Sequence, residues 1–257
     1  MINVTKTYLP DMEEYIAVLK RAWDKGWITN NGELLLELEA KLKEYLGVKH
    51  LLFTSNGTIV LQMALKAMGI TKEVITTPFS YVATANAIIW ENCRPRFVDI
   101  NTTDFCINPD LIEASINENT QAILATHVYG FPCDVDKIDA IAKKYNLKVI
   151  YDGAHAFGCV YKGKSLLSYG DISTCSFHAT KVFHTVEGGC LVINDDVLEN
   201  KLRLFRQFGH MGDDYFMVGI NAKNSELHAA MGLCVLPHLS EIREGRKRVF
   251  DIYDRHL

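Results

Sequence analysis

No stretch of this chain reaches the ~18 consecutive apolar residues of a membrane-spanning helix, and its opening, "MINVTKTYLPDMEEY", lacks the basic-then-apolar pattern of a secretory signal. A soluble, cytoplasmic protein with no membrane partner is therefore expected. Cysteine pairs are also missing. The seven cysteines, Cys93, Cys106, Cys133, Cys159, Cys175, Cys190 and Cys234, are odd in number and never spaced CxxC. This argues against a disulfide framework or a zinc ribbon and for free thiols in a reducing compartment. Charge of one sign is scarce: 27 Lys and Arg stand against 31 Asp and Glu, a net charge of −4, with the two signs mixed along the chain. A nucleic-acid partner is not expected from such a balance. Repeats and low-complexity segments are absent. So are a GxGxxG fingerprint, a Walker loop, a GxSxG nucleophile elbow and an EF-hand, since "DVDKID" lacks the glycine and final glutamate of that calcium loop. No metal site is expected either. His178 and His184 lie six apart with no acidic residue between them, which is not a usual zinc spacing.

What is present is apolar and periodic. With 48% hydrophobic residues, 257 residues can bury a sizeable core, as one large domain or one and a half smaller ones. "ELLLELEAKLKEYLG" has helical spacing and a glycine stop. "HLLFT", "EVITT", "RFVDI", "QAILATHV", "LKVIYD", "STCSF" and "CLVIN" read as strands. Helical patterns fall between them: "SNGTIVLQMALKAMG", "YVATANAIIW", and "DVDKIDAIAKKYN" with Asp134 as N-cap. From Ser225 the sequence reads as helix nearly to its end, broken at Pro237. Nearly continuous apolar strands alternating with helices predict a three-layer α/β fold with a mainly parallel sheet. Such sheets bind ligands at the carboxyl ends of their strands.

Three stretches stand at such ends. In "TSNGT" a strand runs into a helix through Ser55-Asn56-Gly57-Thr58. The helix start favours an anion such as phosphate, glycine allows close approach and Thr58 adds a hydroxyl; an ordinary helix cap would look the same. In "VIYDGAHAFG", Asp152 closes an apolar strand, where its carboxylate can pair with a protonated ring nitrogen and His155 can reach the same ligand. Equally, Asp152 can cap a turn and His155 be a satisfied core histidine. In "SFHATKVFHTVEGG" a polar, glycine-ended turn between two strands carries Lys181. Most lysines are solvated surface groups, but a partly desolvated one is nucleophilic enough for Schiff-base chemistry. A phosphate cradle, a strand-end aspartate and a downstream lysine, in that order, are the parts of a pyridoxal 5'-phosphate site.

The chain resembles the DegT/DnrJ/EryC1/StrS sugar aminotransferases, which have the type I aspartate aminotransferase fold. The resemblance rests on "GWITNNGELLLELEAKLKEYLGVKH", "TSNGTIVLQMALKAMGI", "TPFSYVATANAI", "HVYGFPCDVDKI", "YDGAHAFG", "GDISTCSFHATKVFHTVEGG" and "GINAKNSELHAAMGL", in family order from about residue 20 onward. It implies that Lys181 bonds pyridoxal phosphate and moves the proton, and that Asp152 binds the pyridine nitrogen. His155 would lie near the ring hydroxyl, Gly57, Thr58 and Ser176 would hold the phosphate, and Tyr81 would stack on the ring. Asn221 would reach the phosphate of a neighbouring subunit, which implies a homodimer with shared sites. Lysine rather than histidine at position 181 implies transamination rather than dehydration. The implied donor is L-glutamate, and the implied acceptor is a nucleotide-linked keto sugar of the dTDP-4-keto-6-deoxy-D-glucose kind, in amino-sugar biosynthesis.

The implied domain plan has an N-terminal segment over residues 1–30, a cofactor-binding large domain over 31–240, and over 241–257 the start of a helix connecting to a small domain. The family continues for roughly a hundred residues past that helix, and closed sites protect reactive intermediates. The alternative expectation is therefore a truncated chain that binds the cofactor, or dimerises, without turnover.

Overall fold

The computed structural model describes residues 5–257. Seven strands form one sheet: β1 (His50–Thr54), β2 (Glu73–Thr76), β3 (Arg94–Phe97), β4 (Thr120–Thr126), β5 (Lys148–Asp152), β6 (Ile172–Ser176) and β7 (Gly189–Ile193). Their spatial order is β1-β7-β6-β5-β4-β2-β3. β7 runs antiparallel to both of its neighbours, and every other pairing is parallel. The expected mainly parallel α/β sheet is the one found. One strand is displaced: "RFVDI" was expected at 96–100, but the ladder pairs residues 94–97 with β2. This edge strand is mostly uncovered, so its apolar pattern does not set its register.

The helices are α1 (Met12–Lys25), α2 (Glu33–Leu46), α3 (Gly57–Ala67), α4 (Val82–Trp90), α5 (Val135–Tyr145), α6 (Asp196–Phe205), α7 (Glu226–Val235) and α8 (Leu239–His256). Strand alternation sorts them into layers. Leu52, Leu191, Ile150, Leu124 and Val74 point to one face, packed with Val60, Leu61 and Ala64 of α3 and Leu202 of α6. Phe53, Val192 and Cys175 point to the other, against Leu38 and Leu42 of α2 and Ala230 and Leu233 of α7. On that second face, Ile123, Ala125 and Tyr151 meet Ile138 and Ala142 of α5. The cysteines are free, and all but Cys159 are buried.

Local chemistry sets the helix ends. Asp134 caps α5 by accepting from Lys137 N at 3.1 Å, as expected. Leu236–His238 forms a short 3₁₀ turn between α7 and α8, where Pro237 predicted a break. Gly32 begins α2 without a side-chain cap of its own; the buried Glu226 carboxylate accepts from Leu34 N (2.7 Å) and Leu35 N (3.2 Å) instead. Glycine is needed there because a Cβ would lie 2.6 Å from the Glu226 side chain. No helix among the described residues is long and apolar enough to cross a membrane.

Candidate active site

The carboxyl ends of β1, β2, β4, β5 and β6 share one edge of the sheet. The loops leaving them surround a cavity of about 650 Å³. Gly57, Thr58, Tyr81, Asp152, His155, Ser176 and Lys181, seven of the eight residues singled out in the sequence, line it. The eighth, Asn221, does not. It is exposed, bridges to Gln207, and accepts from Lys223 Nζ at 2.9 Å.

β1 delivers the anion cradle. Asn56 is the N-cap of α3, and its Oδ1 accepts from Thr58 N (3.0 Å) and Ile59 N (2.8 Å). This corrects the expectation of free amides along the helix start, because two of them are satisfied internally. What remains for an anion is the Gly57 N–H, the Thr58 hydroxyl and, across from them, the Ser176 hydroxyl. Gly57 has a steric reason: a Cβ there would sit 2.7 Å from Ser176 Cβ, so only glycine brings this backbone up to that hydroxyl. The cradle is anchored from behind. Ser55 N donates to Ala222 O (3.0 Å), and Asn224 Nδ2 donates to Thr54 O (3.0 Å) and Glu187 O (3.1 Å). Asn224 is buried, and no local motif in the sequence marks it.

Asp152, 6% exposed, ends β5 facing the cavity. Its Oδ1 accepts from Ala154 N (3.0 Å) and its Oδ2 from the Thr84 hydroxyl (2.7 Å). An ionised carboxylate only accepts, so Thr84 must donate to it. Ser80, 2.5 Å from Thr84 Oγ1, must then donate to Thr84, and Thr126, 3.1 Å from Ser80, donates to Ser80. This hydroxyl relay fixes the carboxylate, and sequence reasoning missed all three of its members. Ser80 and Thr84 lie four apart at the start of α4, Thr126 ends β4, and only the fold brings the three to Asp152. With about four lone-pair directions and two donors, the carboxylate keeps capacity to accept from a donor in the cavity.

Lys181 sits half-buried in the turn between β6 and β7, where its N–H donates to His178 O at 2.9 Å. The glycines closing this turn serve close approach rather than tight turning. A Cβ on Gly188 would meet Thr185 Oγ1 at 2.1 Å, and one on Gly189 would meet Asn56 O at 2.5 Å. The two histidines part ways. His178 is exposed at the cavity wall, paired with Thr180 Oγ1 (2.9 Å) and 3.7 Å from Glu187. His184, named above only for its spacing from His178, is buried away from the cavity and bonds Tyr8 O at 2.6 Å. Burial holds its pKa below the ordinary value. It is a structural residue.

His155 stands at the cavity mouth. Burial of part of its ring, then the Lys181 charge, lower its pKa, and Asp152 opposes them. A buried carboxylate, a lysine amine and an anion cradle thus face one volume. That set suits a phosphorylated aromatic aldehyde with a basic ring nitrogen.

The family model for DegT/DnrJ/EryC1/StrS aminotransferases matches residues 10–257. The chain belongs to this family. Its members are transaminases that use pyridoxal phosphate. A dTDP-4-amino-4,6-dideoxy-D-glucose transaminase of Shigella dysenteriae is 45% identical over 257 residues, covering all of this chain and 70% of that protein. Among solved structures, DesI in the presence of its TDP-sugar product superposes with a TM-score of 0.89 at 35% identity, covering 93% of this chain and 62% of that one. NtdA from Bacillus subtilis, with bound cofactor PMP, superposes with a TM-score of 0.83 at 34% identity, covering 89% of this chain and 53% of that one. The chain therefore spans between about half and seven-tenths of the length of these family members.

Proposed function

We propose that this family member transfers an amino group from L-glutamate to a nucleotide-linked keto sugar, with dTDP-4-keto-6-deoxy-D-glucose as acceptor, in amino-sugar biosynthesis. The observation that carries the reading is the joint exposure of Lys181 and Asp152 to a cavity that the Gly57, Thr58 and Ser176 cradle also lines. The name of the Shigella relative supports the acceptor.

In this reading the Gly57 N–H and the Thr58 and Ser176 hydroxyls hold the phosphate. Asp152, its orientation locked by Thr84 and Ala154, accepts a hydrogen bond from the protonated ring nitrogen. Tyr81, 76% exposed over the cavity, covers the ring face. Pyridoxal phosphate, when bound, supplies the electron sink that lets a proton leave the carbon bearing the amine. The Lys181 amine would hold the cofactor covalently and, when free, would carry that proton. Asn221, outside its own cavity, would serve the site of a second copy in a homodimer. Residues 31–240 would form the cofactor domain after an N-terminal segment over 1–30, and 241–257 would begin the connection to a smaller domain. A second reading, a cofactor-binding or dimerising module without turnover of its own, is favoured by α8, which exposes Val249, Phe250, Ile252 and Tyr253 to solvent.

Borohydride reduction after incubation with pyridoxal phosphate tests the site. Peptide mass mapping should find the phosphopyridoxyl group on Lys181, and the Lys181→Ala protein should carry none there. Labelling at other lysines with Lys181 untouched would sink the assignment. Mass spectrometry of dTDP-4-keto-6-deoxy-D-glucose incubated with L-glutamate and the labelling-competent protein then separates the readings: amino-sugar product supports the enzyme, and labelling without product supports the module.

A further inference from the structure

Tyr129 follows β4 at the cavity mouth in a conformation that bulky residues rarely adopt, with φ 54° and ψ 14°. The residue is 66% exposed, so burial does not explain the conformation. Two contacts do, and both go to His155. The Tyr129 backbone N–H donates to His155 Nδ1 at 3.3 Å. The Tyr129 ring lies parallel to the imidazole, with 3° between the planes and 6.0 Å between the centroids. The tyrosine is itself braced: Phe105, also at positive φ (60°), meets its ring edge-on at 6.5 Å and stacks on Phe79 at 5.6 Å.

A nitrogen that accepts a hydrogen bond carries no proton. With Nδ1 accepting, a neutral imidazole must hold its proton on Nε2. The charged groups facing His155 are Lys181 and Asp152, and burial together with Lys181 favours the neutral ring. We propose that Tyr129 is a positioning residue that fixes His155 in one tautomer and one plane, so that the ring presents an Nε2–H donor to an anionic oxygen of the cavity's ligand. The inference rests on the cofactor reading only where it names that oxygen as the ring oxygen of pyridoxal phosphate.

Histidine side-chain 15N NMR tests the first part on the protein without cofactor, with the His155 signal assigned by its loss in His155→Asn. The wild type should show a protonated Nε2 and a bare Nδ1. Tyr129→Gly removes the ring but keeps the backbone N–H and tolerates the positive φ, so the fold is spared; the His155 Nδ1 should stay bare while the imidazole loses its fixed plane and its side-chain signals broaden. Tyr129→Phe should restore the wild-type pattern, because the hydroxyl plays no part. A wild-type proton on Nδ1, or a Tyr129→Gly protein whose His155 line widths match the wild type, overturns the proposal. In the cofactor-loaded protein, the pH midpoint of the cofactor's absorbance change should rise in Tyr129→Gly, since a donor to the ring oxygen is weakened, and return in Tyr129→Phe. A loosened imidazole with an unmoved midpoint keeps Tyr129's hold on His155 and overturns the placement of His155 at the ring oxygen.

Discussion

His127 shows what a single residue can cost. It follows β4, is fully buried, and stacks on Tyr151 with centroids 4.6 Å apart. Its Nδ1 accepts from Cys133 N at 3.1 Å, while its Nε2 has no hydrogen-bond partner among the described residues. Burial pushes its pKa down to about 3. The unfolded chain therefore takes up a proton near pH 6.5 that the folded chain refuses until about pH 3. Its contribution to stability is intact above pH 6.5 and declines as pH falls through that window, by at most about 1.4 kcal/mol per pH unit. Urea denaturation at several pH values should show this slope reduced in His127→Asn, whose amide oxygen can still accept from Cys133 N. An identical slope in the variant would show that other groups, such as the similarly depressed His155, His184 and His228, carry all of it.

Among the elements, α3 ties the fold to the site, because its N-cap is also the floor of the anion cradle. Asn56→Ala removes the acceptor for Thr58 N and Ile59 N and should lower stability by about 1 kcal/mol in a denaturant titration. The same change frees two amides toward the cavity, so affinity for inorganic phosphate should hold or rise even as stability falls. A parallel loss of both would mean that Asn56 shapes the cradle rather than merely capping the helix. The strand and helix pattern around α3 was legible because each buried strand is a nearly unbroken apolar run ending in a polar turn. Asp152 and Lys181 were legible for the same reason, as polar residues where such runs stop. Less was readable elsewhere. α1 carries Tyr15, Val18, Leu19 and Ala22 on one face, with Asp11 as cap and Gly26 as stop, yet exposed Met12, Ile16 and Trp23 blur its apolar period. The segment from 206 to 221 has short ladders and no period. The Thr126–Ser80–Thr84–Asp152 relay joins residues from separate segments, and its small hydroxyl residues leave no local signature.

Across the whole molecule, one buried ion pair joins parts that the sheet alone does not hold. Arg206, at the end of α6 and wholly inaccessible, donates from one terminal nitrogen to Glu39 of α2 (2.5 Å) and to Phe53 O of β1 (2.7 Å). The same Glu39 oxygen accepts from Phe53 N at 2.8 Å. The Arg206 carbonyl accepts from Ala222 N, and the Ala222 carbonyl from Ser55 N, so the pair leads by two hydrogen bonds into the anion cradle. Arg206→Met leaves the Glu39 charge buried without its partner and should cost about 3–5 kcal/mol. Adding Glu39→Gln removes that charge while its amide oxygen still accepts from Phe53 N, so the double variant should recover part of the loss. Urea denaturation of the wild type, both single variants and the double variant measures the coupling. A double variant whose loss equals the sum of the single losses would show that Glu39 and Arg206 act separately. Coupling would make the pair the link by which α2 and the segment after α6 hold β1, and with it the cradle, in one place.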